Sequence, residues 1–220
     1  MDNSKWPARA VLPVAQPGLK FIFTAILITG VLFYFEWVLV AWISLAACLF
    51  TCWFFRDPDR DTPMDEKSLI APADGKVIIV EKLEKCEYLP DPCIKVSIFM
   101  NVFNVHVNRA PFDGMVQKVQ YNSGKFINAS FDKASIHNER NALIVKTGND
   151  ARFAVVQIAG LIARRIVNCV KEGEMLKKGD RYGMIQFGSR LDLYLPQDFK
   201  VAVSIGDKTK AGSTVIGYMK

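Results

Sequence analysis

The stretch Gly183-Met-Ile-Gln-Phe-Gly-Ser-Arg-Leu-Asp-Leu-Tyr-Leu-Pro196 decides the fold of this chain. Apolar residues precede a central Gly-Ser step, and leucines alternate with Asp and Tyr after it, which is the two-residue repeat of a strand. The stretch therefore predicts two short strands around Gly188 and Ser189. Glycine adopts backbone conformations that other residues resist, so the Gly188 carbonyl is open to its neighbouring hydroxyl.

The Gly-Ser step has two interpretations. A bare Gly-Ser pair is a common turn signal, and an ordinary turn or bulge is the default. A serine can also attack the peptide bond that precedes it, provided that a base takes its proton and donors hold the oxyanion. The rest of the chain has to decide between a turn at Gly188 and a reactive Ser189.

Composition indicates a membrane-associated chain in a reducing compartment. Half of the 220 residues are hydrophobic, which is high for a soluble domain. None of the five cysteines forms a C-x-x-C pair, so neither a zinc site nor a disulfide framework is indicated, and no metal is expected. The net charge of +6 is spread out, without an arginine-rich run. It favours an anionic membrane surface over nucleic acid.

The first 55 residues predict a polar arm followed by a membrane hairpin. Residues 1–18 carry three prolines, whereas residues 19–55 are almost wholly apolar and are interrupted by Glu36. One helix of that length would span about 55 Å, far more than a ~30 Å hydrocarbon core. Two helices that turn near Glu36, either transmembrane or re-entrant, fit better. The basic arm places both ends on the cytoplasmic side of the cell membrane. A buried helical pair in a soluble core is the alternative.

Residues 56–70 form a charged, proline-broken linker, and residues 71–220 predict one β-rich domain. Helical periodicity is scarce, and glycine turns separate the apolar runs. The segments 178–185 and 206–216 echo one another, and the second is similar to the closing hairpin of biotinyl and lipoyl domains. The expected fold is therefore mainly β, of the barrel-sandwich type. Further predicted strands are Lys76–Val80, Ile94–Met100, Val102–Val107, Met115–Tyr121, Ala142–Lys146 and Phe153–Ile158.

Several polar residues stand out as candidates for chemistry. Asp74 lies at a turn that enters a strand, and His106 lies in a predicted strand, although such residues are more often structural than catalytic. His137 lies in a polar segment and is expected to be a solvated loop histidine. Arg164 and Arg165 follow an apolar run, and arginine side chains suit carboxylate or phosphate groups.

Six stretches, in this order, resemble phosphatidylserine decarboxylases: FFRDPDR, APADGKV, FMNVFNVHVNRAP, NERN, QIAGLIARRI and GMIQFGSRLDLYLP. The resemblance covers nearly the whole chain from Phe54 onward. It is closest to the short, membrane-associated branch found in archaea and bacteria. The cleavage motif of the family is most often written L-G-S-T, and it reads F-G-S-R here, a variant that the short branch also uses.

This resemblance implies a self-made cofactor. Ser189 would attack the Gly188 carbonyl and end as a pyruvoyl group, which leaves a β chain of residues 1–188 associated with an α chain of residues 189–220. The pyruvoyl group would form a Schiff base with the serine headgroup of phosphatidylserine and yield phosphatidylethanolamine and CO2. The implied partners are a serine phospholipid and the membrane, with no nucleic acid, and a homo-oligomer is left open.

The resemblance also implies helper residues. Asp74 matches the aspartate that serves self-cleavage, and His106 matches the first histidine of an H-x-x-H motif in the longer branch. The second position of that motif is Arg109 here, so it stays open whether His106 or Asp74 is the base. Arg109, Arg164 and Arg165 are the candidates for binding the anionic groups of the substrate.

Two alternatives remain at this stage. A decarboxylase of another serine lipid, such as archaetidylserine, would use the same headgroup chemistry. No feature of the sequence distinguishes ester-linked from ether-linked lipid tails. A membrane-tethered carrier of the lipoyl type would use Lys133, which lies in the Asp-Lys-Ala tripeptide of such domains. Intact mass separates the two classes, because an enzyme of this kind yields two fragments and a carrier yields one heavier chain.

Overall fold

A computed structural model describes residues 13–129, 137–161, 165–186 and 188–220. The described part falls into a helical unit that ends at Asp59 and a β unit that begins at Arg60. Lys133 and Arg164, two of the candidates named above, lie outside the described residues.

The helical unit contains two apolar helices. The first, α1, runs over Leu19–Tyr34, and the second, α2, over Val38–Phe54. Glu36 lies between them with a φ of 59°, a left-handed backbone that reverses the chain. Inside the pair, the hydroxyls of Thr29 and Ser44 lie 2.8 Å apart. The Thr29 hydroxyl also donates to the Ala25 carbonyl at 2.8 Å, so its contact with Ser44 links the two helices by a polar interaction.

Most of the apolar surface of this unit is exposed. Phe23, Leu27 and Leu39 are 68%, 68% and 75% accessible. The segment Gln16–Tyr34 is long and apolar enough to cross a membrane, whereas Val38–Phe54 is shorter. An exposed apolar surface of this kind marks an interaction site, and the helix is compatible with membrane association.

The β unit contains fourteen strands in the described residues. The strands are β1 Ser68–Ile70, β2 Gly75–Leu83, β3 Cys93–Met100, β4 Val107–Arg109, β5 Gly114–Asn122, β6 Arg140–Lys146, β7 Arg152–Ala159, β8 Ile166–Asn168, β9 Met175–Leu176, β10 Arg181–Ile185, β11 Ser189–Pro196, β12 Lys200–Val201, β13 Lys208–Thr209 and β14 Val215–Tyr218. The prediction of a mainly β chain is confirmed.

The strands form one large curled sheet and two small sheets. The large sheet is antiparallel, in the order β13-β2-β3-β11-β7-β6-β5-β9, so β11 lies between β3 and β7. The small sheets have the orders β4-β10-β8 and β1-β14-β12. Consequently β10 and β11, which are separated by only three residues, belong to different sheets, and the Gly-Ser step lies at the crossing between them.

The two faces of β11 differ in chemistry. Leu191, Leu193 and Leu195 belong to the main hydrophobic core on the inner face of the sheet. Arg190, Asp192 and Tyr194 point to the outer face by the two-residue repeat of a strand. Ser189 alternates with Leu191, so its side chain lies on the inner face.

One strand prediction is wrong. The segment Val102–Val107 is irregular except for its last residue, and β4 begins only at Val107. Asn101 Oδ1 accepts the Phe103 N–H at 2.9 Å, and Asn104 Oδ1 accepts the Asn101 N–H at 2.9 Å. These side-chain bonds compete with a strand ladder, so the two asparagines close a tight turn.

Candidate active site

Ser189 is the first residue of a strand that is paired on both sides. Its backbone lies in register with Met100 of β3 and Ala159 of β7. The residue is completely buried, and its hydroxyl has no hydrogen-bond partner among the described residues. A buried hydroxyl without a partner lowers the free energy of unfolding. A serine at this position therefore needs an explanation other than stability.

The backbone before Ser189 requires glycine twice. Gly188 has a φ of +68°, which side chains rarely tolerate. Gly160 lies directly against it, because a Cβ at Gly160 would be 2.2 Å from the Gly188 carbonyl oxygen and 3.1 Å from its carbon. The carbonyl that Ser189 would attack is therefore supported by a backbone without a side chain. Sequence reasoning noted Gly160 only as part of an apolar run.

His106 directly precedes β4. It is completely buried, and its carbonyl accepts the Ile185 N–H at 3.4 Å. Two residues later, the Asn108 amide lies 3.9 Å from the sulfur of Met100, the residue paired with Ser189. Asn108 thus reaches the side chain of the residue that lies in register with Ser189.

A chain of buried amides continues from this region, and sequence reasoning missed it. Asn141 donates to Gln157 Oε1 at 3.3 Å, and Gln157 Nε2 donates to Asn108 Oδ1 at 2.9 Å. Gln157 Nε2 also reaches the Val167 carbonyl at 3.5 Å, which fixes the amide orientation because a carbonyl only accepts. Gly183 leaves room for this amide, since a Cβ there would lie 2.9 Å from it.

Asp74 is held in a different cluster. Its Oδ2 accepts an Arg60 N–H at 2.9 Å, and its Oδ1 accepts the Ala211 backbone N–H at 2.7 Å. Both side chains of the ion pair are mostly buried, at 14% and 12% accessible. The carboxylate is therefore fixed by a cation and an amide donor.

Arg109 lies close to the Asp74 cluster. Its guanidinium donates to the Gly179 carbonyl at 3.1 Å. A Cβ at Gly212 would be 2.7 Å from Arg109 Cδ and 3.4 Å from Arg60 Cβ, so both arginines pack on this glycine. Arg109 and Asp74 consequently belong to one cluster.

The remaining candidates lie at the surface. Arg165 is exposed, and its carbonyl accepts the Gln186 N–H at 3.3 Å. His137 is exposed, as expected of a solvated histidine, although it lies in a helix and not in a loop. Within the described part of the chain, no group of three or more His, Cys, Asp or Glu side chains is arranged to hold a metal ion.

An apolar pocket of about 260 Å³ opens next to the Gly-Ser step. Its walls include Phe99, Val102, Ala129, Leu161 and the two glycines, Gly160 and Gly188. The pocket therefore reaches the backbone carbonyl that precedes Ser189. Apolar walls of this kind suit a ligand with hydrocarbon groups.

The fold and the site define a class, that of β-rich proteins in which a glycine with a left-handed backbone precedes a buried serine. Comparison with protein families matches residues 48–217 to the family described as phosphatidylserine decarboxylase. The chain belongs to this family.

Individual relatives are similar along nearly their whole length. The phosphatidylserine decarboxylase proenzyme of Syntrophus aciditrophicus is 50% identical, over 93% of this chain and 96% of its own length. The proenzymes of the same name from Desulfotalea psychrophila and Ralstonia pickettii are 47% and 45% identical. These matches cover 94% and 99% of this chain, and 97% and 99% of the relatives.

Proposed function

We propose that this chain is a self-processing decarboxylase that converts phosphatidylserine to phosphatidylethanolamine and CO2. The observation that carries the proposal is the buried Ser189 hydroxyl, directly after the left-handed Gly188 and without a hydrogen-bond partner among the described residues. Relatives that are 45–50% identical carry the name phosphatidylserine decarboxylase proenzyme, which supports the same substrate and a precursor that is cleaved.

Self-cleavage begins with the Ser189 hydroxyl. Its oxygen bonds to the Gly188 carbonyl carbon, the amide bond between the two residues breaks, and an ester of Gly188 remains on the serine oxygen. Elimination then breaks the Cβ–O bond of residue 189, so Gly188 leaves as a carboxylate and a base takes the Cα proton. The resulting dehydroalanine is hydrolysed to a pyruvoyl group, and ammonia is released. The products are a β chain of residues 1–188 and an α chain of residues 189–220.

Position 189 is suited to a pyruvoyl group. Such a group supplies the electron sink that decarboxylation needs and that no ordinary side chain offers. Residue 189 lies between two strands and is completely buried, so its surroundings fix its orientation. The unpaired hydroxyl at this position is the atom that the chemistry uses.

His106 is the residue that we assign to proton transfer at the bound substrate. It is completely buried next to β4, and an imidazole changes charge near neutral pH. It is suited either to return a proton to the substrate carbon or to hold the substrate carboxylate. Asp74 is assigned to self-cleavage, in an orientation that is fixed by Arg60 and the Ala211 N–H.

The substrate is proposed to bind with its lipid part in the apolar pocket beside Gly188. Arg165 is exposed on the segment that follows the pocket wall, and a guanidinium suits a phosphate group. Arg164 and Arg109 are proposed for the anionic groups as well. The buried position of Arg109 places it nearer to Asp74 than to the surface.

The finer organisation of the chain belongs to the same proposal. Residues 19–55 would form a hairpin that spans or re-enters the cell membrane, with the β unit on the cytoplasmic side. The curled sheet would be of the barrel-sandwich type found in biotinyl and lipoyl domains. Both features follow from the sequence patterns, and the apolar helix over Gln16–Tyr34 supports membrane association.

Mass spectrometry of the purified protein tests this function. The protein should give two chains, and the α chain should have 32 residues and a blocked N-terminus, whereas Ser189→Ala should remain one chain. CO2 release from phosphatidylserine, compared with an ether-linked serine lipid, measures the substrate class. A single chain with a prosthetic group on Lys133 would instead support a carrier, and cleavage of Ser189→Ala at the same bond would refute the mechanism.

A further inference from the structure

A fully buried ion pair lies directly after the cleavage position. Arg190 Nε donates to Asp192 Oδ1 at 2.6 Å, and one terminal nitrogen donates to Asp192 Oδ2 at 3.1 Å. The same nitrogen donates to the Ser97 hydroxyl of β3 at 2.9 Å. All three residues are completely buried on the outer face of the large sheet.

Arg190, Asp192 and Ser97 form what we call the anchor cluster. Burying its two charges costs more free energy than filling the same space with apolar side chains. The neighbours in register on β7 are apolar, since Ile158 pairs with Arg190 and Val156 with Asp192. Desolvating two charges offsets most of their attraction, and well-packed apolar side chains often stabilise such a place as well or better. A fork of two parallel hydrogen bonds, however, fixes direction in a way that apolar packing does not.

The fixed orientation of the Arg190 side chain becomes important after cleavage. Once the bond between residues 188 and 189 is broken, residue 189 becomes a chain end, and chain ends fray unless they are tied down. A reactive group must stay within about 0.5 Å of its productive position. Arg190 is the first residue of the new chain whose side chain is fastened, and it is fastened within its own strand and to β3.

We propose that the anchor cluster holds the new end of the α chain in register after cleavage. Arg190 is then a positioning residue for the reactive group at residue 189, and this role rests on the proposed function. In this proposal, Arg190, the arginine of the F-G-S-R motif, has a function that is separate from the cleavage step.

The test replaces the ion pair without leaving a charge unpaired. The variant Arg190→Met/Asp192→Leu keeps the volume of the pair and removes both charges. Its matched control is Lys95→Met/Glu81→Leu, because Lys95 and Glu81 form a 3.2 Å ion pair farther along the same sheet. Each double variant is made in the normal chain and in the uncleavable Ser189→Ala chain.

Hydrogen exchange of the amides of residues 190–193 is the readout besides activity. In the cleaved protein, we expect the anchor variant to exchange about 10-fold faster than the parent. In the Ser189→Ala background, the same substitutions should change exchange by less than about 2-fold, because residue 188 still tethers the strand. A purely structural role would accelerate exchange equally in both backgrounds.

Turnover gives the second readout. Per mole of pyruvoyl, kcat of the anchor variant should fall about 10²-fold with KM unchanged, while the control pair keeps the parental values. Two results would contradict the anchor proposal and leave the proposed function intact. One is that the cleaved anchor variant has the hydrogen-exchange rates and the kcat of the parent. The other is that its substitutions accelerate hydrogen exchange equally in the cleaved and the Ser189→Ala backgrounds. If the double variant does not fold, Ser97→Ala decides by the same comparison. An unsubstituted protein that is never cleaved would instead overturn the proposed function.

Discussion

Gly160→Ala is the substitution that tests the geometry of the cleavage site most directly. The new Cβ would be 2.2 Å from the Gly188 carbonyl oxygen, whereas such a carbon and oxygen approach each other only to about 3.3 Å. The carbonyl must therefore shift by about 1 Å. Ala159 and Ser189 are paired across neighbouring strands, so the strands stay in place and the shift falls on the Gly188 carbonyl.

The magnitude follows from that shift. A misplacement of about 1 Å costs on the order of 10²-fold in rate, which corresponds to about 2.7 kcal/mol in activation free energy. We therefore expect Gly160→Ala to fold and to cleave itself about 100 times more slowly than the parent. The core is preserved, because the collision involves one carbonyl at the end of the sheet.

A time course on denaturing gels measures the conversion of the 24.7 kDa chain into its two fragments. Gly148→Ala is the matched control, since a Cβ at Gly148 meets nothing within 4 Å. The uncleaved Ser189→Ala protein provides the circular dichroism spectrum of a folded precursor. Parental cleavage kinetics in Gly160→Ala would refute the reasoning, because the carbonyl would then not depend on the missing side chain.

Three further predictions concern proton transfer and pH. His106→Ala should mature but lose about 10²–10⁴-fold in CO2 release per mole of pyruvoyl, and parental turnover in the mature variant would make His106 structural. Asp74→Asn should accumulate uncleaved chain on gels, and Arg60→Met should do so to a smaller extent, whereas complete maturation of both would separate Asp74 from cleavage. Burial raises the pKa of Tyr88 from 10.0 to about 12, so the stability that it contributes is complete below pH 10 and is lost as pH rises toward 12. Denaturant unfolding should show this loss between pH 10 and 12, and Tyr88→Phe should lack it.

The sequence predicted those parts of the fold that depend on neighbouring residues. The alternation of leucines after Ser189 predicted β11, and Glu36 marked the turn between the helices. The segment after Asn101 was mispredicted, because side-chain hydrogen bonds of two asparagines outweigh its strand propensity. The spacing of Arg190 and Asp192 was readable as one face of a strand, although nothing in the sequence placed Ser97 beside them.

The contacts that build the site are distant in sequence, and the pattern of neighbouring residues contains no information on them. Gly160 and Gly188 meet because β7 pairs with β11, and this pairing is decided by packing of the whole sheet. The same holds for Gln157 and Asn108, which join the large sheet to a small one. The sequence therefore singled out Ser189 as the candidate reactive residue but not the residues that surround it.

Residue 109 is an arginine here, at the position that matches the second histidine of the H-x-x-H motif in the longer branch. This difference bears on which residue acts as the base. An arginine stays charged at every relevant pH and takes up no proton, so Arg109 cannot replace a histidine in that role. It packs instead with Arg60 on Gly212, beside an Asp74 whose oxygens both accept hydrogen bonds. In the proposed mechanism, Asp74 serves self-cleavage, in an orientation that Arg60 and the Ala211 N–H fix, and His106 serves proton transfer at the bound substrate. Maturation separates the two roles, because His106→Ala should still cleave itself whereas Asp74→Asn should not.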